Sequence, residues 1–199
     1  MSNQLLQGNE HFYNSDTESS FSIIDFWSWS SSDFTGNTLR GVLAEFLVAK
    51  ALNIELNEPR QEWAAYDISY NGKGIEVKCS SYWQAWHYAK NPTLIYDISK
   101  SNIFDPKNGY TGEIRRASDV YVFCLFGKET DRKKINENTP LPDILDIGNW
   151  SFYVASSRII NEVYKEQKKA TLSSLKKHLN ITELKFSEIK EAVDKALQE

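Results

Sequence analysis

The chain has 199 residues, 41% of them hydrophobic and 25% charged, with a formal net charge of −4. That length and apolar content are enough to bury a core in one domain, and they argue against a disordered chain. The acidic balance argues against holding nucleic acid by bulk charge, but it leaves room for local basic patches and for carboxylates neutralised by metal.

No apolar run approaches the roughly 20 residues that a membrane span needs. The start, MSNQLLQGNEHF, lacks the basic and apolar stretches of a secretory signal. The two cysteines, Cys79 and Cys124, have no CxxC spacing and fall in strand-like runs. They read as reduced, buried thiols of a cytoplasmic protein with no membrane partner.

Residues 1–34 read as a partly ordered arm. The tail before Ser20 is expected to be loose, and Ile23–Trp27 to form a helical turn. The aromatics Phe12, Tyr13, Phe21, Phe26, Trp27 and Trp29 are expected to strap across the core, with a partner-docking arm as the alternative. Residues 35–160 read as the core, and 161–199 as a helical extension packed on it.

Thr38–Asn53 has helical periodicity, with Thr38 placed to cap it and Leu39, Val42, Leu43, Phe46, Leu47 and Lys50 as the core-facing stripe. Glu45 has Gly41, Val42, Val48 and Ala49 one turn away. It should therefore be partly buried, and a buried carboxylate needs a partner. Arg40 or solvent would serve.

The stretch Tyr66–Ser81 reads YDISYNGKGIEVKCSS. Asn71-Gly72 between two strand-like runs is a strong hairpin signal. A two-residue loop sets Tyr70 against Lys73 and Asp67 against Glu76, with Lys78 on the same face as Glu76; a four-residue loop, Asn71–Gly74, would set Asp67 against Lys78 and keep all three on one face. Two facing carboxylates destabilise a ladder unless a cation lies between them. Downstream, Trp83, Trp86 and Tyr88 can be core or a stacking platform, while His87, with no second histidine at ligand spacing, reads as a surface residue.

Residues 92–98 read as a strand or an anchored loop, and Lys100–Arg116 as a long polar connection. Asp119–Phe126 is apolar throughout, as a central strand covered on both faces should be. Gly127–Gly148 is a charged excursion and Trp150–Ala155 another strand. Amphipathic helices follow, the first capped by Ser156 or Ser157 and the last spanning Phe186–Leu197. The lysines at 165, 168, 169, 176 and 177 fit a solvated helix face.

A helical Glu45, then Asp67 on one hairpin strand and Glu76-Val77-Lys78 on the next, resembles the PD-(D/E)xK nuclease superfamily, the restriction-endonuclease-like fold, over about residues 38–155. Two features depart from the family pattern: Tyr66 stands where a proline often precedes the aspartate, and Cys79 follows the lysine. Gln84 and Tyr88 resemble the QxxxY accessory motif of one branch, though closer to the lysine, which makes Gln84 an accessory candidate.

The resemblance implies an α/β fold, a mixed sheet flanked by helices in a single domain. It also implies metal-assisted hydrolysis of phosphodiesters. Asp67, Glu76 and the Val77 carbonyl would hold Mg²⁺, for which Mn²⁺ can substitute, with Glu45 reaching the metal from the helix. Lys78 would orient or help deprotonate the attacking water and counter developing charge. DNA is the implied substrate, RNA the alternative, and a homodimer is implied by analogy with enzymes that cut both strands. Two other readings stand beside it: the polar face of an ordinary hairpin, and a nucleic-acid-binding or interaction module on the same fold without activity.

Overall fold

Residue patterns that alternate along the strands and recur every turn along the helices build a mixed α/β domain around a four-stranded sheet. The computed structural model describes residues 4–62, 64–83, 93–105, 109–128 and 141–199. The central sheet runs in the order β3 (Ile68–Tyr70), β4 (Lys73–Ser81), β8 (Val120–Phe126), β9 (Trp150–Ser156). Strands β3 and β4 are antiparallel, β4 and β8 parallel, and β8 and β9 antiparallel. As its sequence requires, β8 is buried along all seven residues, between β4 and β9.

The long helix α2 (Asn37–Ala51) packs against β4 and against α5 (Ile189–Ala196), which also covers β9. Its start differs from the expected one, since Gly36 rather than Thr38 occupies the N-cap and no side chain caps it. The buried face also differs. Arg40, Ala44, Leu47 and Val48 point inward, while Phe46 and Lys50 are exposed. The i, i+4, i+7, i+8 spacing of the inward set rotates the helix away from the apolar stripe read from sequence. Arg40 is tolerated there because its guanidinium donates to the Thr35 carbonyl at 2.6 Å and to the Asn37 side chain.

On the other side of the sheet, β5 (Ile95–Asp97) pairs with β10 (Lys169–Thr171). Tyr96 of β5 meets the ring of Phe123 on β8 edge-on, with centroids 5.1 Å apart. The helices α3 (Ser157–Tyr164, capped by Ser156) and α4 (Leu172–Leu179, capped by Thr171) complete this layer.

Two segments are more ordered than their polarity suggests. The tail before Ser20 forms a hairpin, β1 (His11–Asn14) with β2 (Thr17–Ser22), leading into α1 (Ile23–Ser30). Its aromatics do not strap the core: every residue of β1 is exposed and no residue of α1 is buried. Lys100–Arg116 is a second hairpin rather than a connection, β6 (Ser101–Asp105) with β7 (Gly109–Arg115). Phe104 and Tyr110 brace it across the strands at 5.4 Å. No helix among the described residues is long and apolar enough to cross a membrane.

Candidate active site

The site is built on the β3–β4 hairpin. The observed register, Tyr70 opposite Lys73 and Ile68 opposite Ile75, is that of a two-residue loop. Asn71 (φ 51°) and Gly72 (φ 75°) both adopt the left-handed conformation that such a loop requires. Continuing the count places Asp67 across from Glu76, but the ladder stops one pair earlier. Asp67 instead turns its carboxylate into the place of the missing rung and accepts a hydrogen bond from the Val77 amide at 2.7 Å.

This has a consequence for the neighbouring carbonyl. In a hairpin closed by two residues, the pairs 70/73 and 68/75 exchange both backbone hydrogen bonds, so alternate residues of β4 turn their N–H and C=O toward β3. Val77 is next in that series. Its carbonyl emerges at the same strand edge as the Asp67 carboxylate.

Glu76 and Lys78 lie on one face of β4, opposite Tyr121 and Phe123 of β8. The Lys78 ammonium sits 2.5 Å from Glu76 Oε1, with both side chains mostly buried. Burial pushes the Glu76 carboxyl above its ordinary range; Lys78 pulls the other way, while Asp67 and Glu45 add to the push. Burial alone would lower the Lys78 ammonium, but Glu76, then Asp67 and Tyr121, outweigh it and hold Lys78 above the usual lysine range. The Tyr121 hydroxyl is pushed up to about 12, first by burial and then by Glu76. Lys78 therefore stays charged beside Glu76.

Glu45 comes from α2. That helix covers the opposite face of the sheet, as the approach of its Arg40 to the Cys79 thiol indicates. Its partner is neither Arg40 nor solvent but Arg60, which grips it in a two-pronged pair, Nε to Oε2 at 2.5 Å and Nη2 to Oε1 at 2.8 Å. Glu45, first of all, and more weakly Asp67 hold the Arg60 guanidinium above its ordinary value. The Asp67 and Glu45 carboxylates both add to the rise of the Glu76 carboxyl.

Two members of this constellation were not singled out in the sequence. Arg60 lies in a connection with no periodic pattern, and its only signal was the need of Glu45 for a counter-ion. Asp97, on β5, faces Lys78; against the raising effect of burial, the Ser99 amide and hydroxyl, with Lys78 and Lys169, hold its carboxyl low. Gln84, Trp86, His87 and Tyr88 lie outside the described residues.

The donors fit a hard divalent cation by type, since Asp67, Glu76 and the Val77 carbonyl all offer oxygen. Against this, no group of three His, Cys, Asp or Glu side chains among the described residues is assembled as a metal cage. Arg60 and Lys78 occupy Glu45 and Glu76 in ion pairs instead. Neither thiol competes for a ligand role, since both are raised, Cys79 to about 11, chiefly by burial. In comparisons with known proteins, no family model, no curated protein and no solved structure matches the chain.

Proposed function

We propose that this protein is a metal-dependent nuclease of the PD-(D/E)xK type, hydrolysing phosphodiester bonds in DNA, with RNA as the alternative substrate. The observation that carries the reading is the Asp67–Val77 junction. An aspartate at the end of one strand accepts from the amide of Val77, the residue between the ion-paired Glu76 and Lys78, and this supports reading the four as one site. An ordinary solvated hairpin face would have no reason to bury a Glu–Lys pair beside a second carboxylate. Asp67, Glu76 and the Val77 carbonyl would hold Mg²⁺ or Mn²⁺, and Glu45 would contribute once released by Arg60. A bound divalent ion supplies Lewis acidity and a more acidic water molecule at this edge.

The remaining chemistry falls to the chain itself. Lys78, held charged, suits the stabilisation of negative charge on a phosphate oxygen better than removal of a proton. Glu76 would exchange its Lys78 partner for the metal when the ion binds. Tyr121 lies in register with Glu76 on the face that carries Lys78, the side from which a phosphate would approach.

The test is a titration of Mg²⁺ and Mn²⁺ against plasmid, single-stranded DNA and RNA, with wild type and Lys78→Ala compared. Cleavage that falls by about 10²–10⁴-fold in the variant is expected, the range for loss of one charge-stabilising or proton-transferring group. Cleavage unchanged in Lys78→Ala would sink the assignment of the site. No cleavage of any substrate would leave the module without activity as the better reading.

A further inference from the structure

The N-terminal arm is folded with little apolar burial of its own, beyond ring contacts such as Phe12 with Phe21 and Phe26 with Trp29. A two-stranded hairpin and an eight-residue helix are each marginal in water unless something covers them. Here β1, β2 and α1 leave large apolar side chains in solvent, with Trp29 84% exposed, Tyr13 77%, and Phe21, Ile24 and Phe26 about half exposed. The helix is nonetheless well made: Asp25 accepts from the Ser22 amide at 2.7 Å and closes a capping box.

The charge of the arm narrows what can cover it. From Met1 to Leu39 there is no lysine or arginine, against Glu10, Asp16, Glu18, Asp25 and Asp33. An acidic, aromatic surface repels phosphates, so nucleic acid is the wrong occupant. A basic rim around an apolar floor is the right one.

The same chain carries such a surface. A groove of about 380 Å³ lies at the far ends of β4 and β8, floored by Tyr82, Leu94, Leu125 and Leu172, with Lys128 and Lys176 among its lining residues. The Lys176 ammonium stands 5.0 Å from the ring centroid of Tyr153 at the groove wall. Lys177 follows it, exposed, on the same helix, and the one acid among the lining residues, Glu183, is engaged by the Ser151 and Tyr153 hydroxyls.

We infer that the aromatic face of the arm, centred on Phe26 and Trp29, docks into this groove on a second copy of the chain, giving a reciprocal dimer held by apolar burial and opposite charge. The inference is independent of the nuclease reading. Light scattering on the full-length protein at low salt is expected to give twice the 22.9 kDa chain mass. The dimer should weaken as salt screens the complementary charges.

Phe26→Ser with Trp29→Ser, and separately Lys176→Glu with Lys177→Glu, should each yield monomers with unchanged circular dichroism, because these side chains are at the surface. Mixing the two variants should restore dimers, since one arm and one groove remain intact in each pair. If either double variant misfolds, Glu18→Lys, on the exposed hairpin, should still shift the equilibrium toward monomer. A monomeric wild-type chain, a dimer indifferent to arm or groove variants, or mixed variants that stay monomeric would each overturn the inference.

Discussion

Burial is the largest influence on Glu76, and together with the Asp67 and Glu45 carboxylates it outweighs Lys78 and leaves the carboxyl raised. A carboxyl raised in the folded state favours folding when protonated. Its contribution is full below the unfolded pKa and is lost as pH rises through the folded one. At neutral pH the ionised Glu76 therefore works against the fold, as functional carboxylates often do. Glu76→Gln removes that cost but also removes the carboxylate that outweighs burial on Lys78, and an ammonium left buried without its partner costs more. Stability at neutral pH should therefore fall by roughly 1–3 kcal/mol, and the loss should shrink in acid, where the wild-type carboxyl is protonated as well. Urea unfolding of both proteins across pH measures this, and equal stabilities at neutral pH would contradict it. Asp67→Asn gives a readout of the metal that needs no substrate. Millimolar Mg²⁺ should raise the Tm of wild type by linkage to the native state, and the variant should show little or no shift.

At the scale of the element, the β3–β4 hairpin was legible because its information is local. Asn71-Gly72 supplies two left-handed residues, and period-two alternation fixes which side chains share a face. What could not be read was the termination of β3 at Ile68, which converts Asp67 from a ladder residue into a cap on Val77. Arg60 and Asp97 were illegible for a related reason, since each reaches the site only through tertiary packing. The β1–β2 and β6–β7 hairpins were missed because their strands are exposed on both sides and leave no alternating pattern.

Gly74 shows how tightly this element is set. A Cβ there would lie 2.5 Å from the Tyr66 ring, and Tyr66 is the residue before Asp67. Gly74→Ala should therefore cost about 1–3 kcal/mol by overpacking and displace Asp67, lowering activity beyond its effect on folding. Gly72→Ala meets nothing within 4 Å and suffers only from its φ of 75°. It should cost about 1 kcal/mol and leave activity per folded molecule unchanged. Denaturant midpoints paired with specific activity separate the two. A Gly74→Ala protein with wild-type activity would mean that Tyr66 does not position Asp67.

For the whole molecule, the question is what ties the covering layer to the sheet that carries the site. Arg116 does this from a buried position just before β8. Its guanidinium donates to the Ile98 carbonyl after β5 at 2.7 Å, to the Asn161 side chain of α3 at 2.7 Å, to the Lys165 carbonyl at 2.9 Å and to the Gln167 carbonyl at 3.0 Å. One side chain thereby fastens the end of β5, the C-terminus of α3 and the approach to β10 to the strand beside the Glu–Lys pair. All four acceptors are neutral, so the cation is held by hydrogen bonds and by the oxygens at the end of α3 rather than by a counter-ion. Replacing it with methionine keeps the bulk but strands buried carbonyls, each costing about 1–3 kcal/mol when unsatisfied. Arg116→Met should lower stability by about 3–5 kcal/mol. Because Asp97 belongs to the layer so fastened, the Mg²⁺ dependence of any cleavage by the folded fraction should also shift, whereas Asp67 and Val77, on the hairpin, keep their mutual bond. Chemical denaturation tests the first part, and cleavage titrated with Mg²⁺ tests the second. A loss under 1 kcal/mol would mean that water or neighbouring groups satisfy the carbonyls and that the layer is held by its apolar contacts alone.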